Sequence, residues 1–300
     1  MLQLSSDEPS LTVYKEGNEK WMAEGLELQL LPNLQSNWDH LKIESIMSSI
    51  SFSDHKDQAR FLAAQKPESS GWLTVLPSRS LGTMMDNNSF RISLALRFGL
   101  NICSPHKCLC GQKVNADGIH GLSCVKSAGR HSRHSELNNI IFRALQTAKF
   151  LSVLEPPGLY RDDGKRPDGM SLVPWSKGQH LLWDSTCLYS LAPSYLNSSH
   201  LSGGSVAELG AKRKTEKYQG LVNQNFYFVP LAVETLGPWC EEALKFIDDL
   251  GNKIRFITSE PKSKLYLEQR ISVAVQRGNA TSVFGTFPPN TKMEEIFYIL

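Results

Sequence analysis

The sequence predicts an α/β fold: a mixed sheet flanked by helices, preceded by a helical region and a small zinc knuckle. Three observations carry this. An amphipathic stretch at 137–148 leads into short apolar runs broken by turn residues, then a lysine-bearing helical stretch and a last apolar run. Upstream of these, thiols and imidazoles crowd among glycines. Hydrophobic residues make up 41% and charged residues 21% of 300 residues, which supports a packed core of one large domain with appendages, or of two domains. The expected organisation is a mostly helical scaffold over 1–100, a knuckle over 101–130, the α/β core over 131–238 and a helical cover and tail over 239–300.

Net charge is +2, so a nucleic-acid function requires clustered basic residues, not a basic chain. Cys103, Cys108, Cys110 and Cys124 fall close together with histidines between them, a metal-binding pattern and not a dispersed disulfide framework. No signal peptide opens the chain and no apolar run reaches about 18 residues. An intracellular, soluble protein without membrane contact is expected.

The first 30 residues are polar and mixed. Trp38, Leu41, Ile46 and Met47 share a helical face, with Ser36 or Asn37 as cap. Residues 54–65 form a second helix candidate, with Asp54 as cap and Ala59, Leu62 and Ala63 inward. Pro67 and Ser69-Ser70-Gly71 punctuate, GWLTVLPS reads as extended, and 88–98 fits helix or strand equally.

Cys108-x-Cys110-x9-His120-x3-Cys124 supplies three thiolates and one imidazole, a set that suits tetrahedral zinc. Gly111, Gly118 and Gly121 let the chain bend around an ion, and Cys103 and His106 are alternative ligands. Four ligands leave no open position for water, so the zinc is structural.

Lys126, Arg130, His131, Arg133 and His134 form a basic run, placed to meet phosphates, before the helix of Leu137, Ile140, Ile141, Ala144, Leu145 and Ala148. Ser132 or Ser135 is its expected cap. FLSVLEPPGL reads as a strand ending at Glu155, and residues 161–165 as a turn. Arg166-Pro167-Asp168-Gly169 opens an extended segment, and Trp175 to Gly178 breaks it. QHLLWDSTCL then places Asp184 inside an apolar strand, where an unpaired carboxylate costs several kcal/mol. Asp168 and Asp184 on adjacent strands could hold magnesium between hard oxygens. The bland alternative is that both carboxylates are ion-paired to Arg166 or Lys165. A serine- and glycine-rich loop over 191–205 precedes a helix bearing Lys212, Arg213, Lys214 and Lys217. NFYFVPLAVETLG is strongly β-like, with Pro230 marking an edge or bulge.

This order of parts resembles the PD-(D/E)XK restriction-like endonuclease fold. More narrowly, a CCHC knuckle, then Arg-His and Asn residues, Glu-Pro, Arg-Pro-Asp, a second acid, Lys-Tyr and a final apolar strand are similar to the C-terminal region of certain non-LTR retrotransposon polyproteins. Phrases such as RISLALRFGLNIC, HGLSCVKSAGRH, GKRPDG, KYQGL and FVPLAVETLGP are similar to mobile-element proteins of animal genomes. The resemblance covers roughly 35–285. It implies a metal-dependent DNA endonuclease that nicks its target, with Asp168 and Asp184 holding Mg2+ (or Mn2+) and Lys217 orienting water or steadying charge. Lys212 and Lys214 are alternatives to Lys217, and Glu155 is a further ligand candidate. Asp184 stands where Glu is more frequent, and Thr186 where a lysine is usual. The resemblance also implies DNA and element RNA as partners and, through them, a nuclear location. Lys126, Arg130, Arg133, Lys212, Arg213 and Lys214 are the expected nucleic-acid contacts. No reverse-transcriptase signature such as Tyr-x-Asp-Asp occurs, so a truncated product or a host-retained remnant is expected. A remnant can keep its fold as an inactive nucleic-acid-binding module.

Beyond the core, Ala243, Leu244, Ile247, Leu250, Ile254 and Ile257 share one helical face. A second helix over 264–277 is expected to turn Leu265, Ile271 and Val275 inward and to cover the sheet, with Gln276 to Asn279 as alternative nucleic-acid contacts. The terminal MEEIFYIL is apolar enough to dock.

Overall fold

The computed structural model describes residues 43–127, 129–159 and 166–288, with isolated positions outside them. The expectations for 1–30, for Trp38, Leu41 and the cap at Ser36 or Asn37, for the turn at 161–165 and for the terminal octapeptide lie outside the described residues. The chain divides into two units, Met1–Ser53 and Asp54–Leu300. In the first, residues 43–49 are helical, within the stretch expected to be so.

The second unit opens with α1 (His55–Ala64), capped by Asp54, whose carboxylate accepts from Lys56 N at 2.9 Å. A 3-10 turn (Pro67–Ser70) leads directly into α2 (Gly71–Thr74). The extended reading of this stretch is therefore corrected at its start. Trp72 is buried, with its indole N–H donating to Ser69 O at 3.2 Å and its backbone N–H to Ser272 Oγ at 3.1 Å, so tertiary contacts close the turn. The ambiguous 88–98 stretch is a helix, α3 (Asn87–Phe98), capped by Asp86 and ended by Gly99 at φ 71°.

A small antiparallel pair, β1 (His106–Lys107) and β2 (Lys113–Val114), and the short α4 (His120–Ser123) make the knuckle. α5 (Gly129–Thr147) starts earlier than the serine caps predict, leaving Ser132 and Ser135 in its interior. The reason is packing: a Cβ on Gly129 would lie 2.3 Å from Ser282 N, so the first turn is pressed against another helix rather than capped.

The sheet runs β3 (Ser152–Leu154), β4 (Gly169–Ser176), β5 (Gln179–Leu188), β6 (Tyr227–Glu234) in that order. β4 runs antiparallel to its neighbours β3 and β5, and β6 runs parallel to β5. The sheet is therefore mixed. Lys177 and Gly178, at φ 49° and 78°, turn β4 into β5 as a two-residue hairpin. Pro230 lies on β6 at the sheet edge, where a missing N–H costs least. The crossover from β5 to β6 carries α6 (Pro193–Ser199), so the expected loop is partly helical, and then α7 (Ser205–Val222). Proline at the first turn starts α6.

α8 (Glu241–Thr258) follows as expected, and α9 (Ser263–Phe284) is longer than predicted. α9 is not a cover. It packs against α2, α3, α4, α5 and α8, and it is buried on most of its circumference. Leu265, expected inward, is exposed, whereas Gln276 and Asn279 are buried. Asn279 donates to Thr235 O at 2.7 Å, and Arg277 donates to the carbonyls of Gly82 and Met84. These polar groups hold the fold together and are not nucleic-acid contacts. One core cluster joins α5, α8 and α9 to the sheet through Leu181, Trp183 and Leu231. A second joins α3, the knuckle and the end of α9. On the other face, Leu182 packs with Tyr218 and Leu221 of α7.

Candidate active site and metal centre

Asp168 precedes β4, and Asp184 sits in the middle of β5. Gly169 pairs with Trp183, so Asp168 lies beside the strand that carries Asp184. The glycine after Asp168 is dictated by space: a Cβ there would lie 2.0 Å from the Trp183 ring. The backbone of Asp168 is fixed on both sides, its N–H donating to Trp183 O at 3.0 Å and its carbonyl accepting from Glu155 N at 2.8 Å. Asp168 Oδ2 accepts from Ser185 N at 2.6 Å and lies 3.0 Å from His134 Nε2. Burial works to raise the Asp168 carboxyl, but the hydrogen bond and charge of His134, with Ser185 N and Asn138, hold it below the usual value. Asp168 in turn raises the His134 imidazole, against a smaller opposing effect of burial.

Asn138 stands one helical turn beyond His134 and organises the space between helix and sheet. Its Oδ1 accepts from Ser185 Oγ at 2.6 Å and from Trp183 Nε1 at 3.2 Å, and its Nδ2 lies 3.4 Å from His134 Nδ1. The sequence reading placed His134 in a surface basic run and counted the asparagines that follow only as part of the family resemblance, without a role. The signal was there: two polar residues at i and i+4 flank an otherwise apolar helix face.

Asp184 is only 3% exposed. Its Oδ1 is ion-paired with Lys214, its Oδ2 accepts from the Tyr218 hydroxyl, and Lys217 Nζ lies 3.5 Å from Oδ2. Lys217 also donates to the Tyr218 hydroxyl at 2.7 Å, and that hydroxyl lies 2.8 Å from the Arg166 carbonyl. Of the candidate lysines, Lys214 is therefore nearest the second acid, Lys217 stands beside it, and Lys212 lines a separate groove with Glu208 and Glu241. The helix is aimed by Glu234 at the end of β6, whose buried carboxylate accepts from Val206 N at 3.0 Å and Ala207 N at 3.1 Å. It grips the start of α7 and so sets where Lys214 and Lys217 fall.

Two expected residues take other places. The Glu155 side chain is 67% exposed and ion-paired to Arg166. Among the described residues, neither Glu155 nor the two aspartates belong to a group of three or more His, Cys, Asp or Glu side chains with mutually close ligand atoms; that group is the knuckle. Arg133 is 3% exposed, donating to Asn279 Oδ1 at 2.7 Å with its stem against Gly278, so it is a core residue and not a nucleic-acid contact. Arg130 and Arg213 are exposed, as is Lys126. Both aspartates are paired, as the bland alternative expects, but with His134 for Asp168 and Lys214 for Asp184; Lys165 lies outside the described residues.

The knuckle brings Cys108, Cys110, His120 and Cys124 together, their ligand atoms all within 4.8 Å of one another. Cys108 and Cys124 sulfurs lie 3.7 Å apart, and Cys110 Sγ lies 3.2 Å from His120 Nε2. Burial pushes the Cys108 thiol up to about 11, whereas the Gln112 N–H holds the Cys110 thiol below its ordinary value. Three sulfurs and a nitrogen converging without a disulfide form a set that could hold a metal such as zinc. The alternatives are settled by geometry. The Cys103 thiol is buried against the carbonyls of Asn115 and Ala116. His106 has both ring nitrogens engaged, with Ser104 O and Thr286 Oγ1 at 2.9 Å.

No family model and no curated protein matches the chain. Among the described residues, no helix is long and apolar enough to cross a membrane.

Proposed function

We propose that this chain is a metal-dependent endonuclease of non-LTR retrotransposon origin, built on a restriction-like core with a zinc knuckle. The observation that carries this reading is Asp184, buried within β5 and paired with Lys214 and Lys217 of α7, with Asp168 at the start of the neighbouring strand β4. Buried carboxylates facing fixed cations are the equipment of phosphodiester hydrolysis, because the transition state gathers negative charge on phosphoryl oxygens. Magnesium bound by Asp168 and Asp184 would supply Lewis acidity and a more acidic water. Lys214 and Lys217 would neutralise the charge that gathers on the phosphoryl oxygens. His134 keeps Asp168 ionised and oriented, Asn138 holds both helix and strand in register, and Tyr218 fixes Asp184. The substrate is DNA and the compartment the nucleus, with element RNA and a reverse transcriptase domain on another segment as partners.

The test is nicking of supercoiled plasmid with magnesium or manganese. Wild type nicks, and Asp168→Ala and Lys214→Ala lose roughly a hundredfold or more in rate, with folding and DNA binding intact. Metal-independent or absent nicking rejects the catalytic reading. A second reading, an inactive binding module, is favoured by one observation: both oxygens of Asp184 are already taken, by Lys214 and Tyr218. It predicts DNA binding that is indifferent to Asp184→Asn and to magnesium.

A further inference from the structure

An open cleft of about 440 Å³ adjoins the lysines over Asp184. Ser123 of α4 brings the knuckle to its wall, Arg130 stands on α5, Tyr195 on α6, and Arg213, Lys214 and Lys217 on α7. Among the described residues, no carboxylate side chain lines it. Lys214 and Lys217 are paired with Asp184, so the cations that remain to draw a polyanion into the cleft are Arg130 and Arg213. Arg213 is set in place: it donates to the Tyr195 hydroxyl at 2.6 Å and lies 5.5 Å from the centre of that ring. One donor holds the guanidinium, and the rest of its fork is uncommitted among the described residues. Arg213 and Lys217 are separated by four helical residues, about 6 Å of rise, a step suited to successive phosphates of one strand. Between the cations the floor is apolar, at Leu188 and Ala192.

We propose that this cleft seats one strand of the nucleic acid on the knuckle side of the cut. The phosphate nearest the cut lies at Lys214 and Lys217, the next lies between Arg213 and Arg130, and the nucleoside between them rests on the apolar floor. This rests on the nuclease reading of the aspartate pair and extends it. The contacts are to backbone, so the cleft fixes position along the strand and not base identity.

The experiment measures binding of a fluorescent single-stranded oligonucleotide, and of its duplex, to the zinc-loaded full chain without magnesium. Nicking of plasmid with magnesium is measured in parallel. Arg213→Ala and Arg130→Ala are each expected to raise Kd about five- to tenfold and to lower the salt slope by about one. Arg213→Lys, which keeps the charge, recovers part of the loss. Lys245→Ala, an exposed lysine of α8 outside the cleft, leaves Kd unchanged. If Lys245→Ala costs as much as Arg213→Ala, the surface is diffuse and the cleft is rejected. If wild type nicks while both arginine variants bind normally, the cleft alone falls. If the arginines matter but no variant and no wild type nicks, the cleft stands and the catalytic reading falls. Absence of any binding overturns both.

Discussion

Asp184 shows at the scale of a single residue how this molecule handles a buried charge. A carboxylate 3% exposed must be paired, and it is, by Lys214, Tyr218 and Lys217 together. Asp168 solves the same problem with an imidazole, and that choice makes it sensitive to pH. The folded His134 pKa lies above its ordinary 6.5, so the stability it contributes is complete below 6.5 and is lost as pH rises through the folded value. The folded Asp168 pKa lies below 3.8, so its share is present above 3.8 and is lost as pH falls through the folded value. The pair is at full strength between those limits. An NMR titration of the His134 ring in metal-free protein is expected to give a midpoint above 6.5. In Asp168→Asn the midpoint should drop, because the hydrogen bond and charge that raise it are gone while burial remains. A wild-type midpoint at or below 6.5 would show that the pair is not formed.

Among the elements, α7 matters most to the site, and its position depends on Glu234. That carboxylate is buried, and burial pushes its pKa up against the backbone N–H groups that favour its ionised form. The sequence displayed α7 clearly, and it displayed Asp168 and Asp184 through a Pro-Asp turn and an acid in an apolar strand. It could not display Glu234, which reads as an ordinary strand end, because the helix start that it holds lies 28 positions earlier. Arg133 was misplaced for a related reason: a basic residue beside other basic residues looks solvated until the opposite helix, with Gly278 and Asn279, is known. Local periodicity gave the elements, and contacts distant in sequence decided which polar residues belong to the site. Glu234→Ala leaves the first N–H groups of α7 without an acceptor and should cost about 1–3 kcal/mol by urea unfolding. Glu234→Gln keeps an acceptor and removes the buried charge, so it should cost less than the alanine variant. Equal losses in the two would mean that Glu234 does not hold α7.

For the whole second unit, α9 makes a knuckle, a helical scaffold and a sheet domain into one body. Gly121 and Gly129 admit its backbone so closely that a Cβ would fall 2.4 Å from Ser282 O and 2.3 Å from Ser282 N, respectively. Cys108, Val114, Leu122 and Cys124 share one apolar cluster with Ile92 of α3 and with Ala280 and Val283 of α9. A metal in the Cys/His cluster is thus wired into the core, not hung on a loop. Because metal binds the folded cluster far better than the unfolded chain, its binding energy is folding energy. Removing zinc with a strong chelator at neutral pH should therefore cost the whole unit about 3 kcal/mol or more, a fall in Tm of about 6–12 °C for a unit of this size. Hydrogen exchange should rise along α9 and α3 as well as in the knuckle, with zinc restoring both. If Tm stays put and only 106–124 exchanges faster, the knuckle is an independent satellite, and the shared cluster carries no coupling between metal and core.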